Sequence, residues 1–232
     1  MSSVRAAAAE LLERCPRIDL LINNAGVMAC PLAHTHDGFE LQFGTNHLGH
    51  FLFTCLLVPS LLAAAPARVV NLSSAGHKMG GVDLDDPNFE QRKYDKWQAY
   101  GQSKTANVQF SVALNARLAE RGVTVNAVHP GMIMTELGRH LQQEDIEALQ
   151  ASSASLDTRF KTIPAGAATS VWAATSAELE GRGGLYLEDC HVAEPVTEDN
   201  PAGGYTDYAL DTEAAAGLWQ LSERLVKQEF TF

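Results

Sequence analysis

An α/β fold built on a doubly wound parallel sheet is predicted by three observations. Short, largely apolar runs, Ile18–Asn23, Arg68–Leu72 and Val123–Val128, alternate with longer stretches of helical periodicity. Each run stops at small, amide or hydroxyl residues, namely Asn24-Ala25-Gly26, Ser73-Ser74 and His129-Pro130-Gly131. The chain has 232 residues, 46% of them hydrophobic, enough for one domain with a sizeable core. Strands apolar on both faces pair in parallel because crossover helices cover both sides, and active groups then gather at the strand C-termini.

Taken in order, Ser3–Arg14 reads as a helix around the alanine run Ala6–Ala9, and Ile18–Asn23 as a buried strand. A long helical region follows from about Asp37 to Ala64. Its apolar part approaches membrane-span length, but His50 and the interrupting Pro59 make it a buried core helix instead. Arg68–Leu72 is the second strand, residues 76–97 are a polar stretch, and Ala99–Glu120 is the next helix. Val123–Val128 is the third strand. Pro164 opens a helix to about Ser176, Gly184–Leu187 is a fourth strand, and Asp211–Gln228 is the last helix.

A net charge of −11, with only 17 Lys and Arg, excludes the basic surface that nucleic acid or an anionic membrane recruits. Cys15, Cys30, Cys55 and Cys190 are scattered without a Cys-x-x-Cys pair, so they read as reduced thiols packed like small apolar residues in a cytoplasmic protein. The N-terminus lacks the pattern of a secretory signal. The pairs His34/His36 and His47/His50 have no acidic or Cys partner at ligand spacing, and no metal is expected. Leu72-Ser73-Ser74-Ala75-Gly76 lacks the first glycine of a hydrolase nucleophile elbow.

Tyr100 and Lys104 lie four apart at the start of a helix, so both project from one face. A free phenol, with a pKa near 10, is a weak base at neutrality, and an adjacent ammonium is one means of lowering that value. Alone the pair also fits an ordinary solvated helix face. Its company is more specific: Asn23-Asn24-Ala25-Gly26, Asn46 within Thr45-Asn46-His47-Leu48-Gly49, Asn71-Leu72-Ser73-Ser74, then Tyr100–Lys104 and His129-Pro130-Gly131, in that order. Over essentially the whole chain this resembles the short-chain dehydrogenase/reductase family, and Val128–His140 resembles its retinol dehydrogenase-like branch.

The resemblance implies a Rossmann-like domain over residues 1–232 with a substrate lid at 132–163, and an NAD(P)-dependent oxidoreductase acting on an apolar alcohol, aldehyde or ketone. Tyr100 would be the acid/base, Lys104 its pKa-lowering partner and a ribose ligand, Ser74 the donor to the substrate oxygen, and Asn46 the holder of a relay water. Asn24, Ala25, Gly26, Pro130, Gly131, Ile133 and Thr135 would line the cofactor cleft with Tyr100 and Lys104. NADP is expected, with NAD as the alternative, and homo-oligomers would form through the helices of 37–64 and 99–120. The lid residues Met132, Met134, Leu137, Leu141 and Phe160 fit an apolar pocket or core packing equally.

A complete member of that family opens with a βαβαβ unit carrying a glycine-rich turn, and this sequence shows no such segment. The expected fold is therefore N-terminally truncated, with the edge of Ile18–Asn23 left open. Two expectations follow: an oxidoreductase with intact catalytic residues in a truncated chain, or a catalytically inactive short form that acts as an interaction partner.

Overall fold

Two strands buried on both faces, β2 (Ala67–Leu72) and β3 (Val123–His129), form the middle of a five-stranded sheet. The computed structural model describes residues 1–148, 160–201 and 203–232. The strand order is sequential, with β1 (Leu20–Asn23) parallel to β2, β2 to β3, and β3 to β4 (Tyr186–Glu188). Asn23 pairs with Asn71, and Asn71 with Ala127, so the first three strands finish at one level. This register brings the segments after Asn23, Leu72 and His129 side by side at one end of the sheet.

Several details depart from the sequence reading. The Ile18–Asn23 run is not wholly buried, because β1 is an edge strand among the described residues and exposes Leu20 and Ile22. A two-residue strand, β5 (His191–Val192), pairs antiparallel with β4 through a tight turn. The turn residues Asp189 and Cys190 both adopt left-handed backbone, so β5 lacks a crossover helix and is too short to show a periodicity. Of the four thiols, only Cys30 and Cys55 are buried, whereas Cys15 and Cys190 are exposed, which corrects the expectation of apolar packing for those two.

Among the described residues the helices that frame the sheet include α1 (Ser2–Arg14), α2 (Leu41–Ala64), α3 (Lys96–Leu118), α4 (Ile163–Thr175), α5 (Asp207–Leu210) and α6 (Thr212–Val226). Helix α2 is long and apolar enough to cross a membrane, yet Phe43, Leu48, Phe51, Leu52, Leu57 and Leu61 are all fully buried in the core. It starts later than expected because the buried Glu40 carboxylate accepts from Gln42 N and Phe43 N and caps it there. Residues 44–48 form a π turn, which sets Asn46 and His47 on the buried side. Phe51 packs edge-on against Trp219 of α6 at 5.0 Å between ring centroids and lies 5.3 Å from Phe110 of α3, tying the three helices together. Part of the apolar surface of α2 and α3 is thereby covered within the chain.

His47 sits inside this aromatic cluster, 5.2 Å from the Phe43 ring, and its Nε2 meets Ser222 Oγ at 2.8 Å. The serine hydroxyl donates to Leu218 O, so Nε2 carries the proton and donates to the serine. Burial holds the His47 pKa down at about 3, and the same cause holds His50, His77 and His129 at about 4. These rings are neutral in the fold, whereas an unfolded chain protonates them near 6.5. The unfolded state thus binds more protons between about pH 6.5 and 4, and stability falls as pH drops through that window. At pH 5 the expected loss is on the order of 2 kcal/mol per histidine relative to neutrality. Thermal melts followed by circular dichroism at pH 7 and pH 5 check this, and an unchanged or higher melting temperature in acid would refute it.

Candidate active site

The functional end of the sheet is organised by one polar face of α3. Tyr100, Lys104, Asn107 and Ser111 follow each other at helical spacing, and all four side chains are buried. Asp95 caps the helix by accepting from Trp97 N and Gln98 N, which sets where this face begins. Lys104 Nζ donates to Leu72 O at 3.1 Å and Asn107 Nδ2 donates to the same carbonyl at 2.9 Å. Asn71 Nδ2 donates to Ser111 Oγ, and Asn23 Nδ2 donates to Asn71 Oδ1 and Thr54 Oγ1. Side-chain bracing of the sheet therefore falls to Asn23, while Asn24 and Ala25 are exposed.

The two serines after β2 have separate jobs. Ser73 donates its hydroxyl to Lys104 O at 2.9 Å, and its amide donates to Val128 O, so it is a brace between α3 and β3. Ser74 is extended, its Oγ accepts from Gly76 N at 3.0 Å, and it faces Tyr100. Gly76 makes that approach possible: a Cβ there would lie 2.8 Å from Tyr100 Cε1 and 3.4 Å from Ser74 Oγ. Gly101 does the same for the opposite contact, where a Cβ would meet Gly76 O at 2.8 Å.

Lys104 Nζ lies 5.6 Å from the Tyr100 ring centroid. Burial pushes the Tyr100 phenol up to about 12, with a hydrogen bond to Ser74 offsetting part of the rise, and burial pulls Lys104 down to about 8. The burial-driven rise is the larger effect on the phenol here. Desolvation outweighs the cation, which is committed to the Leu72 carbonyl.

Asn46 is fully satisfied through its side chain. Its Nδ2 donates to Val27 O and Ser103 Oγ, and its Oδ1 accepts from Val27 N, all at 2.9 Å. It therefore clamps the Asn24–Val27 segment to α3, and Gly26 fits beside it with room for a Cβ only 3.2 Å from Oδ1. Its backbone carbonyl accepts from His50 Nδ1 at 2.8 Å.

The Pro130–Thr135 segment leaves β3 beside Ser74, and His129 Nδ1 accepts from Ala75 N and Gly131 N, joining the two loops. Gly131 has φ +91°, and a Cβ there would meet the Lys161 side chain at 2.7 Å. Lys161 N donates to Met132 O, its ammonium pairs with Asp189, and Ile133 packs against Gly166. Thr135 is exposed and caps the turn at Glu136–Gly138. Within the expected lid, Met134 and Phe160 are exposed, and residues 149–159 lie outside the described residues. A cavity of about 600 Å³ is walled by Asn23, Asn24, Ala25, Gly44, Thr45 and His50 among others; Ser74, Tyr100 and Lys104 are not in its walls.

Sequence reasoning missed the roles of Ser103, Asn107 and His77. Asn107 and Ser111 continue the Tyr100/Lys104 spacing, a signal that could have found Asn107. His77 is placed by a turn and by distant contacts that no local pattern marks.

Residues 1–146 match the short chain dehydrogenase family, and the chain belongs to that family. It is 45% identical over 99% of its length to human retinol dehydrogenase 13 and 44% identical over 97% to human retinol dehydrogenase 14. It spans 66% and 64% of the length of these two relatives. A crystal structure of an uncharacterized protein from Mycobacterium paratuberculosis superposes on all of this chain and 74% of its own, with TM-score 0.68 and 37% identity. The RhlG/NADP active-site complex of Pseudomonas aeruginosa superposes on 81% of this chain and 70% of its own, with TM-score 0.59 and 28% identity.

Replacing Asn46 by Ala leaves Val27 N–H and C=O buried without partners, so a destabilisation of about 2–4 kcal/mol is expected in urea unfolding. A loss below about 0.5 kcal/mol would show that water reaches this segment.

Proposed function

We propose that the protein interconverts an alcohol and a carbonyl compound with a nicotinamide cofactor, Tyr100 serving as the acid/base. The observation that carries this reading is the convergence of Ser74 and Tyr100 at one end of the sheet, with Lys104 behind them on the same helix face. The residues present suit the nicotinamide-ribose half of such a cofactor. Asn24 offers an exposed amide, the half-buried Gly131 is joined through His129 to the loop that follows Ser74, and Lys104 uses one of its three donors on Leu72 O. The RhlG complex from Pseudomonas aeruginosa was solved with NADP, which supports NADP over NAD. When bound, the cofactor supplies or accepts the hydride.

Ser74 Oγ would donate to the substrate oxygen, and Tyr100 Oη would give that oxygen its proton in reduction or take it in oxidation. A phenol held near 12 is protonated at neutrality and so stands ready as the proton donor of the reductive step. Lys104, with its pKa near 8, would stabilise the phenolate left behind as long as it remains charged. Relatives named retinol dehydrogenases, together with the exposed apolar Met134 and Phe160 near the Pro130–Thr135 segment, support an apolar aldehyde such as retinal as substrate.

Titration with NADPH and NADH, followed by nicotinamide fluorescence, tests the cofactor assignment, with Lys104→Ala expected to weaken binding. Absence of saturable binding would overturn the assignment and favour the interaction-partner reading. With retinal as substrate, Tyr100→Phe is expected to lower turnover by about 10²–10⁴-fold while leaving cofactor binding in place. Carbonyl reduction is also expected to fall as pH rises through about 8, as Lys104 loses its proton; a rate that climbs through that range would contradict its charged role.

A further inference from the structure

His77 is fully buried three residues beyond Ser74, and the chemistry proposed above does not use it. Its ring is held at both nitrogens. Nε2 lies 3.3 Å from Thr206 N, and a backbone N–H can only donate, so Nε2 is the acceptor. The proton of the neutral ring therefore sits on Nδ1, which donates to Ser74 O at 2.7 Å. The His77 amide donates to that same carbonyl at 3.1 Å, so Ser74 O is gripped twice by one residue. The His77 carbonyl in turn accepts from Tyr208 Oη at 2.8 Å and Thr105 Oγ1 at 3.0 Å, and the ring lies 4.8 Å from that of Tyr186. His77 is thus fixed by α3 and by two segments distant in sequence, and the group it fixes is Ser74.

We propose that His77 is a positioning residue: held as the Nδ1–H tautomer by Thr206, it locks the Ser74 carbonyl and thereby sets the direction in which Ser74 Oγ faces Tyr100 and the substrate oxygen. The kinetic part of this rests on the oxidoreductase reading above. The structural part does not. A Ser74 free to rotate about its backbone would point its hydroxyl correctly only part of the time, and the loss would appear in turnover more than in binding.

Two substitutions separate the ring's two bonds. In His77→Asn the amide nitrogen reaches the place of Nδ1 and retains the donor to Ser74 O, while the acceptor for Thr206 N is lost. In His77→Gln the amide reaches the place of Nε2 and retains that acceptor, while the donor to Ser74 is lost. Both variants should melt below the wild type. Only His77→Gln should lose kcat, by about tenfold, with KM for the aldehyde unchanged, and His77→Asn should keep kcat within about twofold. Equal losses of kcat in both variants, or none in either, would overturn the proposal by reducing His77 to a packing residue. Long-range 1H–15N spectra of the wild type give a readout that needs no turnover. The His77 signal, identified by its absence from the His77→Asn spectrum, should show a protonated Nδ1 and a bare Nε2. An Nε2–H tautomer overturns the proposal whether or not the protein reduces carbonyls. A wild type with no turnover but the expected tautomer would instead fail the oxidoreductase reading alone.

Discussion

The site depends on one requirement, that the buried polar face of α3 find partners at the end of the sheet. Tyr100, Lys104, Asn107 and Ser111 would be costly to bury unpaired, and Leu72 O and Asn71 bond three of them, although Asn107 Oδ1 stays without a partner. These bonds reach two adjacent residues at the end of β2, Asn71 and Leu72, which fixes the helix along the sheet. The separation of Ser73 as brace from the half-buried Ser74, which faces Tyr100, follows from the same lock, because Ser73 is tied to the Lys104 carbonyl. The Asn24–Val27 segment is attached in turn by Asn46 to Ser103 on the same helix.

Much of this was legible in the sequence because the strands are short, apolar and end in small polar residues, a pattern set by burial on both faces. The ends of β2 and β3 and the Tyr100/Lys104 face lie where the sequence places them. What the sequence did not carry lies in one unusual cap, one tight turn and a set of distant contacts. The start of α2 depends on the buried Glu40 cap, β5 on two residues in left-handed backbone, and His77 on contacts with Thr206 and Tyr208. The burial of α2 was legible through Pro59 and its polar neighbours, although its aromatic partners on α6 were not.

The electrostatics of Tyr100 and Lys104 show how spacing and environment differ as evidence. Four residues on a helix place two side chains on one face, but they do not decide where the charge points. Here the ammonium is directed at the end of β2 and desolvation dominates both groups, moving the phenol up and the amine down. The two shifts bring the pair toward its neutral forms, an arrangement suited to holding a proton on the phenol.

The π turn at Gly44–Leu48 constrains the length of this segment more tightly than its composition. Such a turn accommodates one residue more than an α-helix would. A version of this chain one residue shorter between Glu40 and Gly49 would close the turn as ordinary helix, and Asn46 would swing by about 100° around the axis, away from Val27 and Ser103. Within this stretch a single deletion would therefore disconnect the Asn24–Val27 loop from α3, where many side-chain replacements would leave it attached.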